Sequence, residues 1–415
     1  MATTKDKIVK ICDRVIEVSL YGTAFYIPIS NALISIFSSL AIFSWVVKKI
    51  ALRSRPKDIF YPTFLRGPIF LFLATMIFSC VFSGYHLMSL RHFFYKTFKY
   101  AVFFFVIAES LDRRILRNIL GVLVFSASLT ALSGLHQFYR GKDFLRLRTP
   151  VIHGRINGPF YYPNSFAHYI VSLFPLTVWL SLIRYRRKAW NFILPVLSAL
   201  LLFSLVLSAT RSAWLALLAL VPFAAFTQGR KFTLCCVLIV ALIAFLGPLM
   251  PGLAKYRIEN FFNYREDAPV FDRDFLWKDA FDMFLNRPVF GQGLGTFMFN
   301  FQRFRPQGYP ADWGISYAEN TFLQLAAETG IIGLFGFLYL IVAMFYFFLR
   351  CLKACPDKKY RHIGFGLAGC MVTYLVSSIF VSSFYSMALA FLFWLLLGLV
   401  AGLHKIILLE PGNNS

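Results

Sequence analysis

The chain has 415 residues, is 58% hydrophobic and 18% aromatic, and carries only 15% charged residues at a mean hydropathy of +0.65, which excludes an ordinary soluble globular domain. Its 42 Lys and Arg stand against 19 Asp and Glu, a net charge of +23. In so apolar a chain this excess points to basic loops that orient membrane helices, not to nucleic acid.

The first residues, "MATTKDKIVKICDRV", are polar and are not followed by a cleavage site, so the first helix is expected to remain as an anchor. Apolar runs then predict twelve spans, at 14–28, 30–47, 67–84, 93–110, 116–137, 165–183, 191–208, 212–228, 232–250, 320–349, 363–382 and 385–404. Every second loop is basic: "KKIALRSRPK", "LDRRILRN", "RYRRK", "QGRK" and "RCLKACPDKKYRH". This alternation places both termini in the cytoplasm. The expected fold is an all-α polytopic membrane protein, a single integral membrane domain over 1–415 with about twelve transmembrane helices. Cysteines at 12, 80, 235, 236, 351, 355 and 370 fall in spans or on the cytoplasmic side, so no disulfide framework is expected. Cys351, Cys355 and His362 lack a fourth ligand for a metal site and read as a reduced loop.

Two outer segments stand apart. Residues 139–163 carry Arg140, Lys142, Arg146, Arg148 and Arg155 against Asp143 alone, a charge of +4 that suits an anionic ligand or headgroup. The segment ends in "GPFYYPNSFAHYI", where Pro159 and Pro163 precede a span that Asn164 or Ser165 is placed to cap, with His168 an interior polar contact one turn on. Residues 251–319 form the longest outer loop, with short helices. Phe275, Leu276, Met283 and Phe284 share one face there, with Arg273 and Trp277 a turn apart. Eight basic and nine acidic residues balance in this loop, so its net charge decides nothing. The run "GQGLG" at 291–295 lacks the Lys and strand of a phosphate loop and reads as a turn.

Arg211 sits at the outer turn between two spans, where a guanidinium either snorkels to headgroups or faces a phosphate. In "SYAENTFLQLAAETGIIG", at 316–333, Ser316 and Glu319 fit the S-x-x-E capping box, a complete structural reading. Against it stand Asn320 beside Glu319 and the arginine-rich loops on the same side, which together make a base with cations for a leaving phosphate.

The ordered set "NGPFYYPNSFA", "SATRSAWLA", "DRDFLWKDAFDMFLNRPVFGQGLGTF" and "AENTFLQLAAETGIIGLFGF" resembles the O-antigen ligase and O-antigen polymerase superfamily of bacterial envelope glycosyltransferases, over roughly 150–345. The resemblance implies transfer of a glycan from undecaprenyl diphosphate to an acceptor hydroxyl, with lipid A-core saccharide the expected acceptor. The site would lie at the outer face of the inner membrane and use no metal, cofactor or nucleotide sugar. By motif position Glu319 would be the catalytic base and Arg211 and Arg273 would bind the diphosphate, with Arg155 alongside them. Asn320, Asn164 and Trp277 would support them. Family members, ligases especially, often have "AHN" where this chain has "AEN", so ligase and polymerase both remain open. The competing class is a transporter or flippase of an anionic lipid-linked glycan, for which charges on several spans and an inverted repeat would be expected; the sequence has few of the first and no evident sign of the second. A non-catalytic assembly subunit is a third reading.

Overall fold

The computed structural model describes residues 4–55, 59–151, 154–229, 234, 273–304 and 317–409. Outside them lie nearly all of the predicted span at 232–250, Cys235 and Cys236, the loop segments 251–272 and 305–316 with Lys255, Arg257, Arg265 and Arg305, and Ser316 of the expected capping box. Among the described residues every regular element is helical. In chain order these are α1 (Thr4–Tyr26), α2 (Asn31–Ala51), α3 (Arg66–Phe82), α4 (His86–His92), a π-helical turn (Phe93–Phe98) leading into α5 (Lys99–Ser110), α6 (Arg113–Arg140), α7 (Pro163–Ser181), α8 (Lys188–Leu207) and α9 (Arg211–Gln228). Then follow α10 (Arg273–Asn286), α11 (Phe297–Phe304), α12 (Thr321–Ala354), α13 (Lys358–Ser377), a 3-10 turn (Ser383–Tyr385) and α14 (Met387–Leu409).

Helix covers most of each predicted span inside the described residues. Six helices, α2, α6, α8, α9, α12 and α14, are long and apolar enough to cross a membrane. Their ends follow local chemistry. The side chains of Ser30 and Asp112 cap α2 and α6 by accepting from Leu33 N and Ile115 N, and α6 stops at Gly141 with φ 76°. Apolar on every face, α14 is buried almost throughout, from Ala388 to Leu403, and forms the axis on which α5 and α13 pack.

Packing sets which helix ends meet. Along α7 and α13, Trp179 lies against Gly366, Pro175 against Gly369, and the His168 ring 4.6 Å from the Tyr374 ring, so these helices run antiparallel. Gly369 also meets Leu220 and Phe223 of α9, and Phe223 stacks near Trp179 at 5.9 Å. The first residues of α7 and α9 therefore come to about the same level as the last of α13, about 12–18 Å along the helices from that shared crossing. His168 is buried there with neither ring nitrogen hydrogen-bonded, so it makes a ring contact and not the polar contact expected.

The other end of α14 lies about 34 Å away by helix rise. There Lys405 Nζ donates to Glu109 O at 2.6 Å, and the Glu109 carboxylate takes Lys49 and the Trp45 indole, each at 2.9 Å. Glu17 accepts from Arg114 at 2.6 Å, Arg14 at 3.1 Å and Tyr21 at 3.0 Å. The basic clusters at 48–49 and 113–114 thus share one end of the bundle, and the buried Glu17 and half-buried Glu109 among them are neutralised.

Candidate functional site

The site is built where α7, α9, α10, α12 and α13 bring their ends together. The chain after α13 is fastened to the start of α12: Thr321 N donates to Ser378 O at 2.9 Å, Thr321 Oγ1 to Val381 O at 2.6 Å, and Ser383 N to Thr321 Oγ1 at 2.9 Å. Asn320 is the N-cap of α12, its Oδ1 accepting from Phe322 N at 2.9 Å and Leu323 N at 3.1 Å.

This corrects the capping-box reading. Glu319 precedes the cap instead of standing three residues inside the helix, and its φ of 47° is left-handed, which no helical position allows. The short Asn amide reaches the two free N–H groups, and the Glu319 side chain has no capping role. A non-glycine residue in this region costs about 1–3 kcal/mol and persists where the surroundings enforce it. Here the clamp on Thr321 does so.

Half-buried, the Glu319 carboxyl has its pKa raised by desolvation, with the nearby Arg273 guanidinium drawing it back down. Arg273, the first residue of α10, donates from Nη2 to Phe380 O at 3.4 Å, and its guanidinium carbon lies 5.7 Å from the Phe380 ring. Trp277, one turn on, is 6.3 Å from the same ring, and its buried indole N–H has no acceptor among the described residues. On its other side α10 buries Leu276, Ala280 and Met283 with Phe297 and Phe301 of α11, while Phe275 packs partly buried against this cluster. Of the face expected at Phe275, Leu276, Met283 and Phe284, Leu276 and Met283 are its buried centre.

Arg155 occupies a different place from the one expected. It is buried, donating from Nε to Ser208 O at 2.9 Å and from Nη2 to Asn164 Oδ1 and Thr210 Oγ1, both at 3.0 Å. Its guanidinium braces the α8–α9 turn, in which Ala209 has φ 49°, and so fixes where Arg211 starts α9. Asn164 accepts from Arg155, and α7 begins at Pro163 without a side-chain cap, so neither Asn164 nor Ser165 caps it. Arg211 is half-buried at the first position of α9, level with the Phe380 end of α13 by the helix packing above.

Sequence reasoning missed Glu328. Its carboxylate accepts from Gly295 N at 2.8 Å, from Phe297 N at 3.0 Å and from the Tyr385 hydroxyl. It thereby fills the anion seat at the N-terminus of α11. "GQGLG" is a turn, as expected, and its N–H groups are taken: Gln292 N donates to Ala327 O at 3.0 Å and Gly293 N to Glu328 O at 2.8 Å. This backbone clasp opens α12 at Gly330, whose φ is 65°. A Cβ there would lie 2.2 Å from Val289 O, so only glycine fits. The available signal was an ionisable residue within an apolar run. A cavity of about 50 Å³ adjoins Glu328, lined also by His92, Lys96, Gln324 and Tyr385. Among the described residues no three His, Cys, Asp or Glu side chains converge as metal ligands would.

Helices long and apolar enough to cross a membrane, with the strained Glu319 near Arg273 at one end, are the features of an integral membrane protein. Residues 196–338, about a third of the chain, match the family model described as O-antigen ligase, and over this segment the resemblance to the O-antigen ligase and polymerase superfamily holds. The matched segment contains Arg211, Arg273, Trp277, Glu319, Asn320 and Glu328; Arg155 and Asn164 lie before it. No curated protein matches the chain.

Proposed function

We propose that the protein is an O-antigen ligase-type glycosyltransferase that moves a glycan from undecaprenyl diphosphate to a hydroxyl of an acceptor saccharide, the lipid A-core. The reading includes the twelve-span threading, both termini in the cytoplasm, and the site at the outer face of the bacterial inner membrane. One observation carries it: Glu319, held left-handed and half-buried just before α12, feels the charge of the Arg273 guanidinium and has no hydrogen bond among the described residues.

The Glu319 carboxylate takes the proton of the acceptor hydroxyl as that oxygen attacks the anomeric carbon of the first sugar. The new C–O bond forms as the bond from carbon to the diphosphate oxygen breaks, and the electron pair leaves with the diphosphate. Arg273 and Arg211 stabilise the charge that gathers there, and their planar donors suit phosphate oxygens. Arg155 and Asn164 hold the α8–α9 turn in place, and Asn320 fixes the start of α12. Trp277 offers its indole N–H to the bound glycan. The match to the O-antigen ligase family model supports a glycosyltransferase of the ligase and polymerase superfamily.

The test is a reconstituted assay with a lipid-diphosphate glycan and deacylated lipid A-core as acceptor. Transfer of the glycan to the core supports the reading. Glycan joined only to another glycan would make the protein a polymerase, and translocation without transfer would make it a transporter.

A further inference from the structure

Tyr161 and Tyr162 are 58% and 56% exposed on a loop that is otherwise tied down. Gln137 Oε1 accepts from Asn157 N at 2.8 Å and Gly158 N at 2.9 Å, Asn157 Nδ2 donates to Phe160 O at 2.6 Å, and Ile156 N donates to Leu207 O at 3.3 Å. Phe160, by contrast, turns inward against Tyr169 at 5.5 Å. An anchored loop that buries one aromatic ring and holds out the next two presents a preorganised apolar surface to whatever binds there.

The surroundings indicate the ligand. Tyr162 immediately precedes α7, whose first turn stands level with Phe380, and its hydroxyl pKa is raised by burial first and then by the charges of Tyr161 and Glu319. The two tyrosine rings meet edge to face at 4.7 Å, and the Arg148 guanidinium carbon lies 5.4 Å from the Tyr161 centroid. The basic loop at 139–151 keeps its charge outward, because its one acid is consumed internally. Asp143 is fully buried and accepts from Leu145 N at 2.9 Å, Arg146 N at 2.7 Å and Arg148 N at 2.5 Å. Arg140, Lys142 and Arg146 of the same loop are left exposed.

We infer that Tyr162 is the platform on which a pyranose ring of the acceptor stacks, with Tyr161 and Arg148 as its buttress and the basic loop as a rim for acidic or phosphorylated sugars. The inference rests on the glycosyl-transfer reading. A sugar ring lays its C–H face on an aromatic face while the phenol hydroxyl meets a sugar hydroxyl. The stacked sugar belongs to the acceptor because the arginines draw the diphosphate, and in a displacement the attacking oxygen approaches from the side opposite the leaving one. Glu319, just before the start of α12 that is fastened to residues 378–383, then meets the acceptor hydroxyl.

The experiment uses the full chain in detergent. Saturation-transfer NMR with deacylated lipid A-core oligosaccharide is compared among the parent, Tyr162→Ala and Tyr162→Trp, together with acceptor and donor KM in the transfer assay. Tyr162→Ala should lose the saturation-transfer signal and raise acceptor KM about tenfold at unchanged donor KM, while Tyr162→Trp stays near the parent. An unchanged acceptor KM in Tyr162→Ala, or equal damage from Ala and Trp, would overturn the platform and leave Tyr162 an interfacial anchor. A parent that binds the saccharide through Tyr162 but transfers nothing keeps the platform and sinks the transferase reading. A parent that gives no saturation transfer overturns the inference.

Discussion

Glu319 and Glu328 lie nine positions apart in one continuous stretch, and the structure treats them in opposite ways. Glu328 sits inside α12, buried, with two backbone N–H groups and a phenol hydroxyl donating to it. Glu319 sits just outside the same helix, half-buried on a left-handed backbone, with an arginine for company and no hydrogen bond among those described. A carboxylate whose acceptor capacity is spent on the fold cannot take a proton from substrate without loosening that fold. One with no such donors among the described residues is available for chemistry. The difference teaches that position along the chain says little about a carboxylate's role, and that the accounting of its donors says much.

The two ends of the bundle repeat the contrast. At the Lys405 end the acids Glu17 and Glu109 are saturated by cations and indole, which holds α1, α2, α5, α6 and α14 together. At the Phe380 end Arg273 spends one donor on a carbonyl at 3.4 Å.

The sharpest break of the comparison is at the clasp itself. Gly330→Val should abolish the folded protein, a loss of about 4 kcal/mol or more, since it adds a left-handed β-branched residue whose Cβ would meet Val289 O at 2.2 Å; yield and thermal midpoint in detergent would show it. Next, Glu328→Leu should cost about 3 kcal/mol by stranding the N–H groups of Gly295 and Phe297 and the Tyr385 hydroxyl, and any loss of transfer should track the loss of folded protein. Asn320→Ala removes the cap that Glu319 does not supply, so the thermal midpoint should fall by an amount equivalent to about 1 kcal/mol, with Asp at this position restoring most of it. The smallest effect is on pH. Desolvation raises the Glu319 pKa, and the base works only when deprotonated, so transfer should fall on acidification at a higher pH than an ordinary carboxylate would give. Glu319→His should carry that acid limb further up, toward about 6.5.

Much of the helical framework was legible because apolar runs and caps are local signals. The starts of α2 and α6 follow from Ser30 and Asp112, and α12 begins within a residue of the predicted position. The ends of helices that meet at the site were only partly legible. The S-x-x-E spacing fits a capping box on paper, but backbone conformation at Glu319 is set by the clamp between Thr321 and residues 378–383, sixty positions on. The same distance hid the brace role of Arg155, whose partners at 208 and 210 lie on another helix pair. Glu328 escaped because its donors lie 31 and 33 positions earlier in a glycine run that reads as a plain turn.

The claim that Glu319 is the base is tested most directly by Glu319→Gln in single-turnover transfer, alongside its thermal midpoint. Gln keeps the size and polarity of the side chain and takes away the proton acceptor. The account predicts a parental midpoint with transfer slowed by about 10²- to 10⁴-fold. A Glu319→Gln protein that transfers glycan at the parental rate would contradict it.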